Sequence, residues 1–528
     1  MKHLVQHESA APIIELCGIT KSFGAVQANK NINLKVSQGS IHGIVGENGA
    51  GKSTLMSILY GFYRADAGTI LINGEPTTIT NSRAAIQCGI GMVHQHFKLV
   101  HNFSVLENVI LGLENSFLID TSLAKARELL KDLAKTYSLE VKPDAIIEDL
   151  SVGHQQRVEI LKALYRQAQI LILDEPTGVL TPSEAKHLFQ ILRNLANEGK
   201  TIILITHKLK EIMAITDTVS VMRRGEMVTT LETKQTNPQE LAQLMVGRSV
   251  LLRIEKEPAK VGEKILEVNH LKVSDKRGVQ VIKDISLHVR RGEILGIAGV
   301  SGNGQTELLE ALGGIVPAQG EIKINGQSIP LEGRGSDAQS RRQYGIGHVP
   351  EDRQKLGLIL NFFAWENIIF GYHNDPAFNT NWLRMDNEGI IAFAEKNMSQ
   401  FDVRPPNPSL RAKNFSGGNQ QKIVLAREMV RSPKLLVVGQ PTRGVDIGAI
   451  EFIHQKLIDL RDTGCGILLV SVELDEILSL SDRVAVLFDG SIIGERITSE
   501  TNENELGLLM AGISETDDHL RQINLVTQ

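Results

Sequence analysis

Between Gly46 and Thr54 the chain reads GENGAGKST, and no other stretch restricts the possible folds as much. An apolar run from Ile41 to Val45 leads into it, and Leu55, Ile58 and Leu59 recur on one face of a helical pattern after it. A strand, a glycine-rich turn and a helix in this order form the setting in which G-x-x-x-x-G-K-[ST] holds phosphate. Glycines at Gly46, Gly49 and Gly51 let backbone N–H groups close on an anion, and Asn48 lies within the same turn. Lys52 supplies a point charge, Ser53 a hydroxyl for Mg²⁺, and Thr54 continues the first helical turn. The helix starting at Lys52 adds its unpaired N–H groups and positive dipole end. An ordinary glycine turn is the plain alternative, but every fixed position is filled in the right context, so nucleotide binding is the reading.

At 528 residues the chain is too long for one hydrophobic core, so two or more domains are expected. The net charge of −5, with no long basic run, argues against a protein that grips nucleic acid through its phosphates. Cys17, Cys88 and Cys465 are widely spaced and odd in number, which suggests neither a disulfide framework nor a cysteine metal site and fits a reducing cytosol. The N-terminal MKHLVQHESAAP has no apolar core, and nowhere do about 18 apolar residues run uninterrupted. The chain itself is not expected to cross a membrane.

The sequence contains the same pattern twice. INLKVSQGSIHGIVGENGAGKST from Ile32 matches ISLHVRRGEILGIAGVSGNGQTE from Ile285, which sets Gly46 against Gly299 at an offset of 253. LSVGHQQRVEILKAL from Leu150 matches FSGGNQQKIVLAREM from Phe415, and LILDEPTGVL from Leu171 matches LVVGQPTRGV from Leu436, both at an offset of 265. A long period with a small drift means two copies of a domain with short insertions in the second. The predicted domains are 13–250 and 263–513, with a charged, turn-rich linker at 251–262 and a polar tail at 514–528. Each copy reads as β-rich, then the phosphate loop and its helix, then a mostly helical insertion, from about Phe97 to Arg166 in the first copy. Buried-looking strands follow at Ile170 to Leu173 and Thr201 to Ile205. Apolar strands alternating with helices predict an α/β fold whose core is a mostly parallel sheet covered on both faces.

The first copy carries what nucleotide hydrolysis needs. Its strand Leu171 to Leu173 delivers Asp174 and Glu175 to the carboxyl edge of the sheet, where ligands of such sheets collect. Asp174 would hold Mg²⁺ and Glu175 would take a proton from the attacking water, although two acids after a strand can also be a solvated helix cap. His207, after the strand Thr201 to Ile205, is placed to reach a γ-phosphate; a lone histidine is more often structural. Gln95 in GMVHQHFKLV would sense Mg²⁺ and the water where the core meets the helical insertion, but alone carries no message. Phe23 in KSFG offers a flat face for adenine, and without further context reads as a core residue.

Gly46 to Thr54, Gln95, Leu150 to Gln156, Asp174 with Glu175, and His207, in that order, resemble the ATP-binding cassette of ABC transporters, and the resemblance covers both halves. It implies two tandem P-loop NTPase domains, each with a mostly parallel core, an antiparallel β subdomain and a helical subdomain. It further implies that the cassettes close face to face with ATP and Mg²⁺ between them, each site joining the phosphate loop of one copy to the Ser-Gly-Gly helix start of the other.

The second copy departs from the pattern wherever charge matters. Gln305 stands where the lysine belongs, Gly439 and Gln440 replace the acids, Val472 the histidine, Glu351 the glutamine and Lys276 the phenylalanine. In the first copy LSVGH has Val152 and His154 where FSGGN has Gly417 and Asn419. Crosswise assembly pairs the intact first loop with the intact Ser416, Gly417 and Gly418 and with Asp446, while the damaged loop meets the damaged LSVGH and Thr181. One catalytic and one degenerate composite site are therefore expected. Neutral drift in the second copy alone would not damage the first copy's LSVGH.

FSVLENVILG from Phe103 and FFAWENIIFG from Phe362 are matching apolar segments that read either as docking surfaces for coupling helices of a membrane partner or as internal helix packing. PEDR from Pro350, QPTRG from Gln440 and the EL-x-E segment from Glu473 resemble the ATPases of bacterial simple-sugar and nucleoside importers, and Gln305 and Gln440 look more like the nucleoside branch. That resemblance implies two integral membrane permease subunits, an extracellular or periplasmic solute-binding receptor, no nucleic acid, and a place on the cytoplasmic face of the cell membrane. The alternatives are a ribose- or galactose-type monosaccharide importer and, in a different class, a soluble twin-cassette ATPase acting on ribosomes or DNA; a short linker and a stripped second site speak against the latter.

Overall fold

The computed structural model describes residues 12–24, 26–94, 97–112, 119–137, 139–178, 180, 182–248, 256–275, 277–300, 302–381, 384–445 and 447–513. The chain divides into two compact units, Met1–Leu252 and Arg253–Gln528.

In the first unit the strand that feeds the phosphate loop, Ile41–Gly46, is buried along its whole length and lies inside a six-stranded sheet. The strand order is Glu226–Glu232, Thr218–Arg223, Ile41–Gly46, Thr201–Ile205, Ile170–Asp174, Ile90–Val93, and all neighbours are parallel except the first pair. Its central strands read as unbroken apolar runs because helices cover both faces. The register sets Ile44 opposite Ile205, and Ile205 opposite Asp174, so the phosphate loop, the two acids and His207 all emerge at one edge.

A separate four-stranded antiparallel sheet, Val26–Ser37, Pro12–Phe23, Ala67–Ile72 and Glu75–Thr77, packs beside it. Here apolar and polar residues alternate: Ile32, Leu34 and Val36 point inward and their neighbours outward. Ile14 and Leu16 of this sheet share a core with Leu55 and Leu59 of the helix Lys52–Leu59 and with Ile203 of the parallel sheet. The helix that receives phosphate is thereby held from both sides. The insertion contains Val105–Ile110, Ile119–Thr136 and Val152–Tyr165, all helical, as the sequence predicts.

The second unit repeats this plan. Ten of its described strands join into one sheet because Asp284 pairs with Ser491 and links the antiparallel layer to the parallel one. Its insertion is elaborated by a turn of π-helix at Arg353–Gly357, a small hairpin of Asn379–Asn381 with Arg384–Met385, and a small core of Ile369, Phe378 and Ile390. Most of the drift in offset between the two copies falls in this region, from 256 at Glu351 to 265 at Phe415. The two apolar segments pack internally on one side: Val105, Leu106 and Val109 in the first unit, and Ala364, Ile368 and Ile369 in the second, are buried. They also leave exposed rims at Leu111 and at Phe362, Phe363 and Phe370.

Candidate active site

The backbone of the first loop requires glycine for reasons that can be seen. Gly51 has φ 100, and a Cβ there would collide with the Ala28 carbonyl, while one on Gly46 would collide with the Met222 carbonyl. Gly49, at φ 83, faces open space. Asn29, fully buried, donates its Nδ2 to the Gly51 carbonyl at 3.1 Å and so fixes the loop at the helix start. Asn48 and Ser53 are exposed and Thr54 is half-buried. The loop is preorganised and its face is open.

Lys52 is 6% exposed and donates its Nζ to the carbonyls of Gly46 at 2.7 Å and Glu47 at 3.0 Å. Burial pushes its pKa below the ordinary lysine value, and the charges of Glu175, Asp174 and Glu47 only partly oppose this. A buried cation whose main partners are loop carbonyls gains from an incoming anion. Asp174 moves the other way: burial, and then the like charge of Glu175, raise its pKa against the hydrogen bond from Ser53 and the charge of Lys52. Two acids crowded beside one hydroxyl are relieved by a divalent cation, and the hydroxyl and carboxylate oxygens of Ser53 and Asp174 are the hard donors that Mg²⁺ takes. The residues present fit that ion.

Glu175 sits at φ 48, a left-handed conformation that costs a non-glycine residue about 1–3 kcal/mol. Its N–H donates to the Ile205 carbonyl at 2.8 Å, which ties the strained residue to the neighbouring strand just ahead of His207. His207 Nδ1 then lies 2.8 Å from Glu175 Oε1. Burial would raise the pKa of Glu175, but the hydrogen bond and charge of His207, with Lys52 and Lys208, outweigh it and hold the carboxyl below its ordinary range. Glu175 is therefore ionised and oriented at neutral pH, as a proton acceptor must be.

Two contributors escaped the sequence reading. Glu211, buried, accepts hydrogen bonds from Thr177 and Thr206, and so clamps the turn after Glu175 to the strand end before His207. Its second-unit counterpart Glu476 takes Thr442 in the same way, at 2.7 Å, which gives the EL-x-E segment a structural task. Tyr63 packs edge-on against Phe23 with ring centroids 5.1 Å apart, and both rings are exposed. The only sequence signal for Tyr63 was the aromatic pair Phe62 and Tyr63 just after the phosphate-loop helix.

The second unit keeps this backbone and loses its charges. Gln440 has φ 47 and donates its N–H to the Val470 carbonyl at 2.8 Å, the same geometry as Glu175. A side chain on Gly439 would have to displace the end of Leu309 and would stand 3.2 Å from the Glu351 nitrogen, so an acid at the position of Asp174 would be crowded here. Gln305 is 3% exposed and its Nε2 has no partner among the described residues. Thr306, the counterpart of Ser53, donates to Glu351 Oε2 at 2.7 Å, and Arg443 reaches Glu351 Oε1 at 3.1 Å. The oxygens that would meet a cation are already occupied by the protein's own donors, and this unit does not fit Mg²⁺.

Ser416 caps the helix Gly417–Met429, accepting from the Asn419 N–H at 3.4 Å and from Asn419 Nδ2 at 2.8 Å, and it is exposed. In the first unit Ser151 heads the matching helix, Val152–Tyr165, and its hydroxyl is instead engaged by His154 Nδ1 at 2.8 Å. Gln95, Asp446, Thr181 and Lys276 lie outside the described residues. Among the described residues no helix is long and apolar enough to cross a membrane.

Comparison with known proteins places these features. The sequence pattern of the ABC transporter family matches residues 29–178 and 282–443. The guanosine import ATP-binding protein NupO of Bacillus subtilis (strain 168) is 48% identical over 507 residues, 96% of this chain and 98% of that protein. The nucleoside import ATP-binding protein NupA of Lactococcus lactis subsp. cremoris (strain MG1363) is 48% identical over 95% of this chain and 98% of its own length. The ribose import ATP-binding protein RbsA of Streptococcus agalactiae serotype III (strain NEM316) is 39% identical over 94% of this chain and 99% of its own. A solved nucleotide-free ATP-binding cassette from an ABC transporter aligns at 24% identity and a TM-score of 0.40, covering 44% of this chain and 98% of that one. With both halves matched by the family pattern and relatives aligned along nearly the whole length, the chain belongs to the ABC transporter family and is an ATPase with two cassettes.

Proposed function

We propose that this protein is the ATP-hydrolysing subunit of a membrane importer for nucleosides or related small polar solutes. The observation that carries the solute class is the 48% identity, over 96% and 95% of the chain, to a guanosine import and a nucleoside import ATP-binding protein, against 39% for the ribose import protein. Gln305 in the second loop and Gln440 after the strand support the same branch. Two permease subunits in the membrane and an external solute-binding receptor complete the machine, with this chain peripheral on the cytoplasmic face.

In this reading the domains are 13–250 and 263–513, joined by 251–262. ATP lies with its phosphates on Gly46 to Thr54 and its adenine on Phe23, and Ser416, Gly417, Gly418 and Asp446 are further nucleotide-binding residues. Ser53, Gln95 and Asp174 would hold Mg²⁺, which would supply positive charge against the phosphates. Lys52 leaves its two carbonyls for phosphate oxygens. Glu175 orients water and accepts its proton, while His207 keeps that carboxylate aimed and charged. Ser416, a cap with an exposed hydroxyl, presents a helix N-terminus to the terminal phosphate. The second loop lacks the acid and the lysine, and it serves binding or closure without hydrolysis.

Uptake of labelled nucleosides and of pentoses, compared between cells lacking this gene and their parent, tests the solute class. Nucleoside uptake is expected to fall to background with pentose uptake unchanged. Loss of pentose uptake alone would move the assignment to the monosaccharide importers.

A further inference from the structure

Two stretches of the first unit meet at the ring of Phe23. Phe23 ends the strand Pro12–Phe23 and pairs with Val26 across the hairpin. The other stretch is the turn after the helix Lys52–Leu59, where the N–H groups of Phe62 and Tyr63 both donate to the Ser57 carbonyl, at 2.8 and 3.2 Å. That turn is anchored on the helix that receives phosphate.

Asp66 fastens the two stretches together. It accepts Lys21 Nζ on Oδ1 and the Ser22 N–H on Oδ2, each at 2.7 Å, and its own N–H donates to the Thr20 carbonyl at 2.8 Å. The hairpin end is thus pinned beside the turn, and Tyr63 meets Phe23 with ring centroids 5.1 Å apart and ring planes at 73°. Lys21 Nζ lies 5.6 Å from the Phe23 centroid. Phe62 packs instead against Tyr60 and His94, so of the two neighbouring aromatics only Tyr63 is directed to Phe23.

The pair stays open to solvent. Phe23 is 43% and Tyr63 44% exposed although each covers part of the other. Rings of this size gain by burial, so a fixed aromatic corner left half open is a surface waiting for a flat partner.

The second unit is an internal control. It keeps the turn, with the N–H groups of Ile315 and Val316 donating to the Glu310 carbonyl at 2.8 and 3.4 Å. It keeps neither ring: Val316 stands at the position of Tyr63 and Lys276 at that of Phe23. The backbone does not demand a tyrosine at this turn, and both aromatics are missing from the copy whose loop has Gln305 in place of the lysine.

We propose that Tyr63 is a base-contacting residue of the first unit's nucleotide site, forming with Phe23 a two-walled aromatic corner for adenine. This rests on the placement of adenine on Phe23 proposed above. A base stacked on Phe23 meets Tyr63 at a steep angle, the edge-to-face arrangement that aromatic quadrupoles favour. The clasp by Asp66 holds the corner in shape before the base arrives, which lowers the ordering cost of binding.

The test uses the full-length chain, with inorganic tripolyphosphate as a base-free competitor of ATP. Tyr63→Ala is expected to raise KM for ATP about two- to tenfold, with kcat and the inhibition constant of tripolyphosphate both within about twofold of the parent. Tyr63→Phe should keep the parent's KM and Tyr63→Leu should not, because the contact needs a ring and not merely apolar volume. Phe23→Ala, measured alongside, separates this inference from the reading beneath it. If Phe23→Ala raises KM for ATP while Tyr63→Ala leaves it unchanged, the inference falls and adenine stays on Phe23. If neither raises it, the placement of adenine falls and takes this inference with it. If Tyr63→Ala weakens ATP and tripolyphosphate equally, or Tyr63→Leu behaves as the parent, Tyr63 acts only through packing and the proposal is overturned.

Discussion

Two strand ends, one in each unit, differ in chemistry while sharing a backbone. Glu175 and Gln440 both sit near φ 48, both donate their N–H to the neighbouring strand at 2.8 Å, and both are followed by a threonine bonded to a buried glutamate. Yet one end carries Asp174 and Glu175 against Lys52, Ser53 and His207, and the other carries Gly439 and Gln440 against Gln305, Thr306 and Val472. A strained geometry costing about 1–3 kcal/mol is retained in the unit that has lost its acid. The strain therefore belongs to the turn itself, as the mould in which either side chain sits. The difference between the units is electrostatic, and substitutions that act through charge should separate them while those that act through shape should not.

The largest effect is expected from Glu175→Gln. Removing the proton acceptor should reduce steady-state ATP turnover by about 10² to 10⁴, while Gln440→Glu restores no second site because Gly439, Gln305 and the Thr306–Glu351 pair remain. Phosphate release from the two purified variants checks both halves. Substantial hydrolysis in the Glu175 variant would break the contrast between the units.

Next comes His207→Ala. Losing a hydrogen bond to a charged group is worth roughly 1.5–3 kcal/mol, about 10- to 100-fold in rate. The sign of the pH effect follows from Glu175, whose pKa is held down by His207 despite burial. Without the imidazole that pKa rises, so the acidic limb of the pH–rate profile should move to higher pH. A profile that only loses amplitude would mean that His207 does not set the charge of Glu175.

The two loops supply a sharper structural contrast. Gly51 and Gly304 share φ near 100, but a Cβ on Gly51 meets the Ala28 carbonyl head-on, whereas one on Gly304 finds Ile282 at 3.3 Å and the Val281 carbonyl at 3.4 Å. Both alanine variants incur left-handed strain of about 1–3 kcal/mol, and Gly51→Ala adds a backbone collision. Chemical denaturation should show the first unit losing more stability than the second. The smallest effect is expected from Phe23→Ala: stacking worth about 0.5–1.5 kcal/mol predicts a rise in KM for ATP of about two- to tenfold with kcat unchanged. Nucleotide titration followed by tryptophan or label fluorescence would measure it.

Much of this was legible in the sequence for a physical reason. The phosphate loop is read from glycines whose conformations no other residue adopts easily, and the parallel strands from apolar runs that only burial on two faces explains. The duplication exposed the second unit's losses, since each missing charge has a filled counterpart at a fixed offset. What could not be read was who touches whom within a unit. Glu211 looks like any helical glutamate until its partners Thr177 and Thr206 are seen, and Tyr63 is an ordinary aromatic until it meets Phe23. Nor does the sequence show that Glu351 is already held by Thr306 and Arg443, because those residues come from three separate stretches that only the sheet brings to one edge. The apolar segments from Phe103 and Phe362 were ambiguous for a related reason: a short amphipathic helix followed by an aromatic rim both packs inward and faces out.

The claim that one loop hydrolyses ATP and the other does not is tested most directly by counting trapped nucleotide. With vanadate present to hold ADP after a single turnover, the account predicts one ADP retained per chain, and vanadate-dependent photo-labelling from an azido-nucleotide confined to the segment that carries Lys52. Two trapped ADP per chain, or vanadate-dependent label on the segment that carries Gln305, would contradict it.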